Sequence, residues 1–223
     1  EENLYKEKIL YMPNIWNSLS VPENLPEINN NLKLDSSKFN LCSFNNFHKL
    51  SDKTIETWSK ILKHNNTQIL LKDSSQGGED LKQNIIQKFL KNHVNLEQLI
   101  FLNNQETIYD HLKLYNKVNL ALDTFPYPGV TTSFEAILMG VPVLTLQGFN
   151  FNSRCGESIM KNINMEDMIA ENESDYIDKA ISCINDKNFT EKNGINLRKK
   201  ALSSPLFDTD TFANNFCNLI KEL

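Results

Sequence analysis

The chain has 223 residues, of which 40% are hydrophobic, and a formal net charge of −5. That length supplies a core that needs no disulfide or metal, and the acidic balance excludes a nucleic-acid backbone binder, which requires a basic face. No apolar run reaches about 18 residues, which argues against a membrane span. The acidic, polar start (Glu1, Glu2, Asn3) argues against a signal peptide.

The predicted elements begin with a leader over residues 1–37. It carries Pro13, Pro22 and Pro26 among polar residues, with a short apolar patch from Ile9 to Met12. The prolines exclude a long helix. The segment reads as a linker, lying against a main domain over residues 38–223. In that domain the pattern alternates. Phe39–Phe44 reads as a buried strand. Asp52–His64 reads as a helix, with Ile55, Trp58, Ile61 and Leu62 at helical spacing. A strand at Ile69–Leu71 precedes a helix at Glu79–His93, whose stripe is Leu81, Ile85, Ile86, Phe89 and Leu90. Between those two, Gly77-Gly78 reads as a turn without the GxGxxG frame of a dinucleotide site.

A strand at Leu99–Leu102, a helix at Glu106–Tyr115 and a strand at Val118–Leu122 follow. Thr131–Met139 reads as a helix closed by Gly140, and Val141–Leu146 as the next strand. Helices are expected at Arg154–Asn162, Glu173–Asn185, Thr190–Leu202 and Thr209–Lys221, with a short strand at Met168–Ala170. Strands alternating with helices imply a parallel sheet covered on both faces, a Rossmann-like three-layer α/β/α fold. Ligands of such sheets bind at the carboxyl ends of the strands. The four cysteines, Cys42, Cys155, Cys183 and Cys217, form no CxxC pair. They read as reduced, buried residues of a cytoplasmic protein.

The most informative stretch is Leu122–Leu146, LDTFPYPGVTTSFEAILMGVPVLTL. A strand ends at Asp123, a Pro- and Gly-bearing loop follows, and a helix begins at Thr131 and Thr132. Gly129 leaves room for close backbone approach, and two hydroxyls stand beside free helix N–H groups, which together make an anion site. Glu135, one turn into the helix, is placed to accept from ribose hydroxyls. The same pattern also fits an ordinary capped helix with Thr131 as N-cap.

With these residues in place, the sequence resembles the donor-binding lobe of the O-GlcNAc transferase family, a GT-B glycosyltransferase family. The resemblance rests on Leu122-Asp123-Thr124, Gly129, Thr131, Thr132, Glu135, Gly140, Pro142, Thr145 and the Ser153-Arg154 pair. It extends upstream to CSFNNFHKLS and downstream to MIAENESDY and to Ser204–Phe207, and so spans roughly residues 38 to 222. By position it implies that Lys49 is the catalytic cation at the donor diphosphate, with Asn46 assisting. It implies that His111 contacts the nucleoside, that Gly129, Thr131 and Thr132 hold the diphosphate, and that Glu135 binds the ribose. Two positions depart from the family pattern: Val130 replaces a histidine and Ile108 a lysine.

The implied donor is a UDP-sugar, most commonly UDP-N-acetylglucosamine in the family, with UDP-glucose or another hexose as the alternative. No metal or other cofactor is expected, since Lys49 and the helix N-terminus meet the charge. Asp208-Thr209-Asp210 matches a metal-binding DxD string but is read as an acidic helix cap; Arg154 is open between a phosphate contact and a structural ion pair. The implied partners are an N-terminal lobe of the same protein and a protein or glycan acceptor. The Glu1 start and the linker-like YKEKILYMP imply that this lobe is missing from the chain, which would then be inactive alone. The alternative is a non-catalytic nucleotide-binding or interaction module that keeps the fold.

Overall fold

Leu41, Ile69, Leu70, Leu71, Leu120 and Leu144 have no exposed surface. Runs this apolar on both faces form strands covered by helices on each side. The computed structural model describes residues 5–29, 37–64, 66–73 and 78–221; positions 1–4 and 30–36 of the expected leader, and Gly77, lie outside these. The strands are β1 (Phe39–Ser43), β2 (Thr67–Leu71), β3 (Leu99–Phe101), β4 (Leu120–Leu122), β5 (Val143–Leu146) and β6 (Ile169–Ala170). They pair in the order β3-β2-β1-β4-β5-β6. Every pair is parallel, with Leu41 opposite both Ile69 and Leu120, Ala121 opposite Val143, and Thr145 opposite Ile169. The strand order reverses between β1 and β4, which is where ligands bind in doubly wound sheets.

The helices are α1 (Asp52–Leu62), α2 (Gly78–Lys91), α3 (Ile108–Lys113), α4 (Thr131–Leu138), α5 (Cys155–Asn162), α6 (Glu173–Asn185), α7 (Phe189–Lys192), α8 (Gly194–Leu202) and α9 (Thr209–Lys221). With the sheet they make the expected three-layer α/β/α fold. Trp58, Phe89, Phe134 and Tyr176 are fully buried and fill the space between sheet and helices. No helix among the described residues is long and apolar enough to cross a membrane.

Four sequence expectations need correction. The expected helix Thr190–Leu202 is two helices, broken at Asn193 and at Gly194, whose φ is +41°. The cause is tertiary. Gly140, at φ +74°, ends α4 directly against Gly194, and a Cβ on Gly140 would lie 2.3 Å from the Gly194 carbonyl oxygen. The expected helix Glu106–Tyr115 starts later, capped by the Thr107 hydroxyl, and continues past Lys113 as a 3-10 turn over Leu114–Lys117. The helix does begin at Thr131, as expected, but the alternative reading of Thr131 as its N-cap fails: Val130 holds that position, without a side-chain bond. Finally, Cys42, Cys155 and Cys183 are buried, but Cys217 on α9 is exposed.

The described part of the leader packs onto the domain. Ile15 is buried, the Leu19 N–H and the Ser18 hydroxyl donate to the Leu206 carbonyl, and Asn116 donates to Glu27 O at 2.9 Å. Arg198 on α8 donates from Nε to Leu138 O at 2.7 Å and from Nη2 to Pro26 O at 2.9 Å. It thus satisfies a carbonyl at the end of α4, where a cation is favoured, and clamps the leader in the same move.

Candidate active site at the strand switch point

Strand β4 delivers Asp123 to the carboxyl edge of the sheet, 1% exposed. Its carboxylate accepts from the Gly129 N–H at 2.6 Å, the Thr124 N–H at 3.0 Å and the Thr145 hydroxyl at 2.9 Å. Three donors on one carboxylate close the loop 124–130 over the strand end. The loop is held from the other side by Ser51 and Thr54, whose hydroxyls donate to Phe125 O at 2.9 and 2.7 Å. Burial pushes the Asp123 carboxyl up to about 6, against the pull of the Gly129 and Thr145 hydrogen bonds and the Lys49 charge. The close fit reaches α5: a Cβ on Gly156 would lie 2.7 Å from an Asp123 oxygen.

The loop leads into α4. The N–H groups of Thr131 and Thr132, the first two helical positions, have no carbonyl a turn earlier in the helix to bond to, and with the helix dipole they favour an anion. Thr131 is exposed, and Thr132 turns its hydroxyl toward Asn45, donating to Oδ1 at 3.0 Å. Gly129 is required by packing. A Cβ there would stand 2.5 Å from Thr132 Oγ1 and 2.8 Å from Asn45 Oδ1. Its N–H faces inward to Asp123, so the outward-facing donors of this segment belong to the threonines.

Lys49 ends a 3-10 turn, Phe47–Lys49, that follows β1. The turn is pinned at its start, where Asp73 Oδ1 accepts from the Phe47 N–H at 3.1 Å and Asn46 Oδ1 accepts from the His48 N–H at 2.9 Å. Lys49 Nζ donates to Pro128 O at 3.0 Å and sits 4.4 Å from the centre of the Tyr127 ring. Burial lowers its pKa below the usual lysine range, and the Asp123 charge opposes that shift. Lys49 therefore stands over the same loop that starts α4.

On the other side of the switch point, His111 Nε2 and Glu135 Oε2 are 3.0 Å apart, with side chains 14% and 11% exposed. Tyr115 donates its hydroxyl to Thr132 O at 3.1 Å and lies 3.5 Å from Glu135 Oε2. Burial, and next the Glu135 charge, push the Tyr115 hydroxyl well above its usual range, so it stays a donor. Phe44, at the end of β1, packs on both His111 and Tyr115. Lys72, at the end of β2, is buried; desolvation lowers its pKa, opposed by the charges of Glu135 and Asp73.

The fold thus brings Lys49, His111, Gly129, Thr131, Thr132 and Glu135 to one edge of the sheet. Asn46 is there too, but its side-chain oxygen caps its own turn, and the asparagine that meets Thr132 is its neighbour Asn45. Arg154 forms the ion pair of its two readings, reaching Glu157 with Nε at 3.0 Å and Nη2 at 3.2 Å. Asp208 caps α9 by accepting from the Thr211 N–H at 3.0 Å. Asp123, Asn45, Tyr115 and Lys72 were not singled out as site residues from the sequence. The signal available for Asp123 was its place at a strand end directly before a Gly loop. For Lys72 it was a lysine closing the apolar run Ile69–Leu71.

The family model for glycosyl transferase family 41 matches residues 23–216. The chain is similar to the probable UDP-N-acetylglucosamine–peptide N-acetylglucosaminyltransferase SPINDLY of Solanum lycopersicum, at 29% identity over 187 residues, 81% of this chain and 20% of that protein. It is similar to the protein of the same description from Petunia hybrida, at 31% identity over 179 residues, 78% of this chain and 19% of that one. Among solved structures, a mutant of the Thermobaculum terrenum O-GlcNAc transferase superposes with a TM-score of 0.88 at 25% identity, covering 99% of this chain and 42% of that one. The chain therefore spans about a fifth of the length of these curated relatives. A match over residues 23–216, most of the chain, identifies it as a member of glycosyl transferase family 41.

Proposed function

We propose that this chain is the donor-binding lobe of a glycosyltransferase that moves an N-acetylhexosamine or hexose from a UDP-sugar to a protein acceptor. The observation that carries the reading is the convergence of Lys49, the Thr131–Thr132 helix start and the Glu135–His111 pair at the β1/β4 switch point. Glu135, with His111 beside it, accepts from the ribose and fixes the nucleoside end. The Thr131 and Thr132 N–H groups face the diphosphate. Lys49 meets the charge that grows as the bond from the anomeric carbon to the phosphate oxygen breaks and the diphosphate leaves with the electron pair. A preorganised cation and helix dipole at that charge lower the barrier, and no metal is required for that task.

The second lobe and the acceptor site belong to the same proposal. Thr131 and Tyr127 lie open at the sheet edge, so these residues form one wall of a crevice. The relatives are described as peptide glycosyltransferases and extend well beyond the matched part. The acceptor proton is left to a base outside this chain, and four free cysteines fit a cytoplasmic setting. Thermal denaturation with added nucleotide tests the reading. UDP at about ten times its dissociation constant stabilises the fold by roughly 1.4 kcal/mol. ADP and GDP shift the melting temperature less. No shift at millimolar UDP removes the donor-lobe reading and leaves a non-catalytic module with the same fold. A larger shift with GDP than with UDP keeps a donor lobe and reassigns its base.

A further inference from the structure

One peptide unit, Pro128–Gly129, stands between the two opposite charges of the site. Its N–H donates to Asp123 Oδ1 at 2.6 Å, and its carbonyl accepts from Lys49 Nζ at 3.0 Å. The N–H and C=O of a peptide point in opposite directions, so the carboxylate lies beneath the loop and the ammonium above it. Hydrogen bonds arranged in series polarise one another, and more so where water is excluded. We propose that Asp123 is a positioning residue for donor binding. It acts through this peptide to fix both the loop before Thr131 and the place of the Lys49 ammonium. The inference rests on the donor-lobe reading above.

The surroundings of Asp123 give it no other evident task. It is 1% exposed, and α5 packs against it at Gly156, where a Cβ would lie 2.7 Å from an Asp123 oxygen. The charged and titratable groups facing it are few. Lys49 comes from the turn after β1, Cys155 from the start of α5, and Tyr176 from α6, whose hydroxyl donates to the Asp123 backbone carbonyl at 3.1 Å. From β5 comes only the Thr145 hydroxyl. Lys49 is the one cation among these. Ionised, Asp123 accepts all three of its hydrogen bonds and holds Lys49 through the peptide. Protonated, it gives up a share of that acceptance and the counter-charge together. Its carboxyl, pushed up to about 6 by burial, titrates in a range where a UDP-sugar, a diphosphate diester, keeps constant charge.

The experiment uses UDP-N-acetylglucosamine and uridine as probes, with calorimetric affinities from pH 5 to 8, on the wild-type chain and on Asp123→Asn. Asparagine keeps the shape and an acceptor oxygen but loses the charge. The wild type is expected to lose affinity for the UDP-sugar as pH falls through about 6, with uridine changing little. Asp123→Asn is expected to bind the UDP-sugar about tenfold more weakly at pH 7.5, the scale of a charge-assisted hydrogen bond, and to show no inflection near pH 6. A second readout is independent of any nucleotide: the Gly129 amide resonance of the wild type shifts with pH on the Asp123 titration, and the Lys49 side-chain resonances shift with it. Matching pH profiles in wild type and variant, or equal loss of uridine and UDP-sugar, overturns the proposal. So does a Gly129 shift that Lys49 does not follow. A wild type that binds no UDP-sugar while both resonances titrate together instead removes the donor-lobe reading and, with it, the role in binding.

Discussion

His111 Nε2 lies 3.0 Å from Glu135 Oε2, which joins the last turn of the short helix α3 to α4, one turn past its start, across the edge of the sheet. The carboxylate accepts and the ring N–H donates, so the pair is a preformed unit. One side is filled by Tyr115 and Phe44, which leaves little freedom to the ring. Replacing Glu135 by alanine removes a charged acceptor from the nucleoside end. We expect uridine and UDP to weaken alike, by about tenfold, the scale of one hydrogen bond to a charged group. Parallel calorimetric titrations check this, and a loss confined to UDP would place Glu135 at the diphosphate.

Lys49→Ala is expected to do the opposite. It removes a cation beside the loop while leaving the Glu135–His111 pair untouched, so UDP weakens by about tenfold or more and uridine hardly changes, because the lost interaction is specific to phosphate charge. Equal weakening of both ligands would move Lys49 away from the diphosphate.

Gly129→Ala places a methyl group 2.5 Å from Thr132 Oγ1 and 2.8 Å from Asn45 Oδ1. Side-chain rotation relieves part of this overlap at the cost of the Thr132–Asn45 hydrogen bond. A destabilisation of about 1–3 kcal/mol is the usual range for overpacking. Chemical denaturation measures it, and an unchanged midpoint would show that the loop yields freely.

The pH dependence of stability follows from the buried Asp123. Its folded pKa, about 6, lies above the ordinary aspartate value of 3.8, so between these values the native state holds a proton that the unfolded state has released. Stability contributed by this group therefore falls as pH rises from about 4 to about 6 and is level above. Asp123→Asn abolishes that contribution, so its denaturation midpoint relative to the wild type should improve as pH rises from 4 to 6. A constant difference across that range would mean that Asp123 is not protonated in the native state at acid pH.

Much of this architecture was legible from periodicity. The bounds of α6 and α9 agree with the sequence reading to the residue, because each begins at a polar cap, Asn172 or Asp208, and runs on an uninterrupted apolar stripe. The strands of the switch point were legible as short apolar runs. What was not legible depends on contacts distant in sequence. Gly194 breaks a helix because Gly140, 54 positions earlier, presses on it. Asp123 reads as a strand end until Gly129 and Thr145 are seen to donate to it. Asn45 and Asn46 are alike in sequence, and only the turn of the chain after β1 decides that Asn45 meets Thr132 while Asn46 caps its own loop.

The most direct test is to map UDP onto the chain by amide chemical-shift perturbation. The account predicts saturable shifts centred on Thr131 and Thr132 and spreading to Lys49, His111 and Glu135, with little change at the cavity between Met12–Ile15 and α9, the leader side of the domain. Saturable shifts centred on that cavity, or none at millimolar UDP, would contradict it.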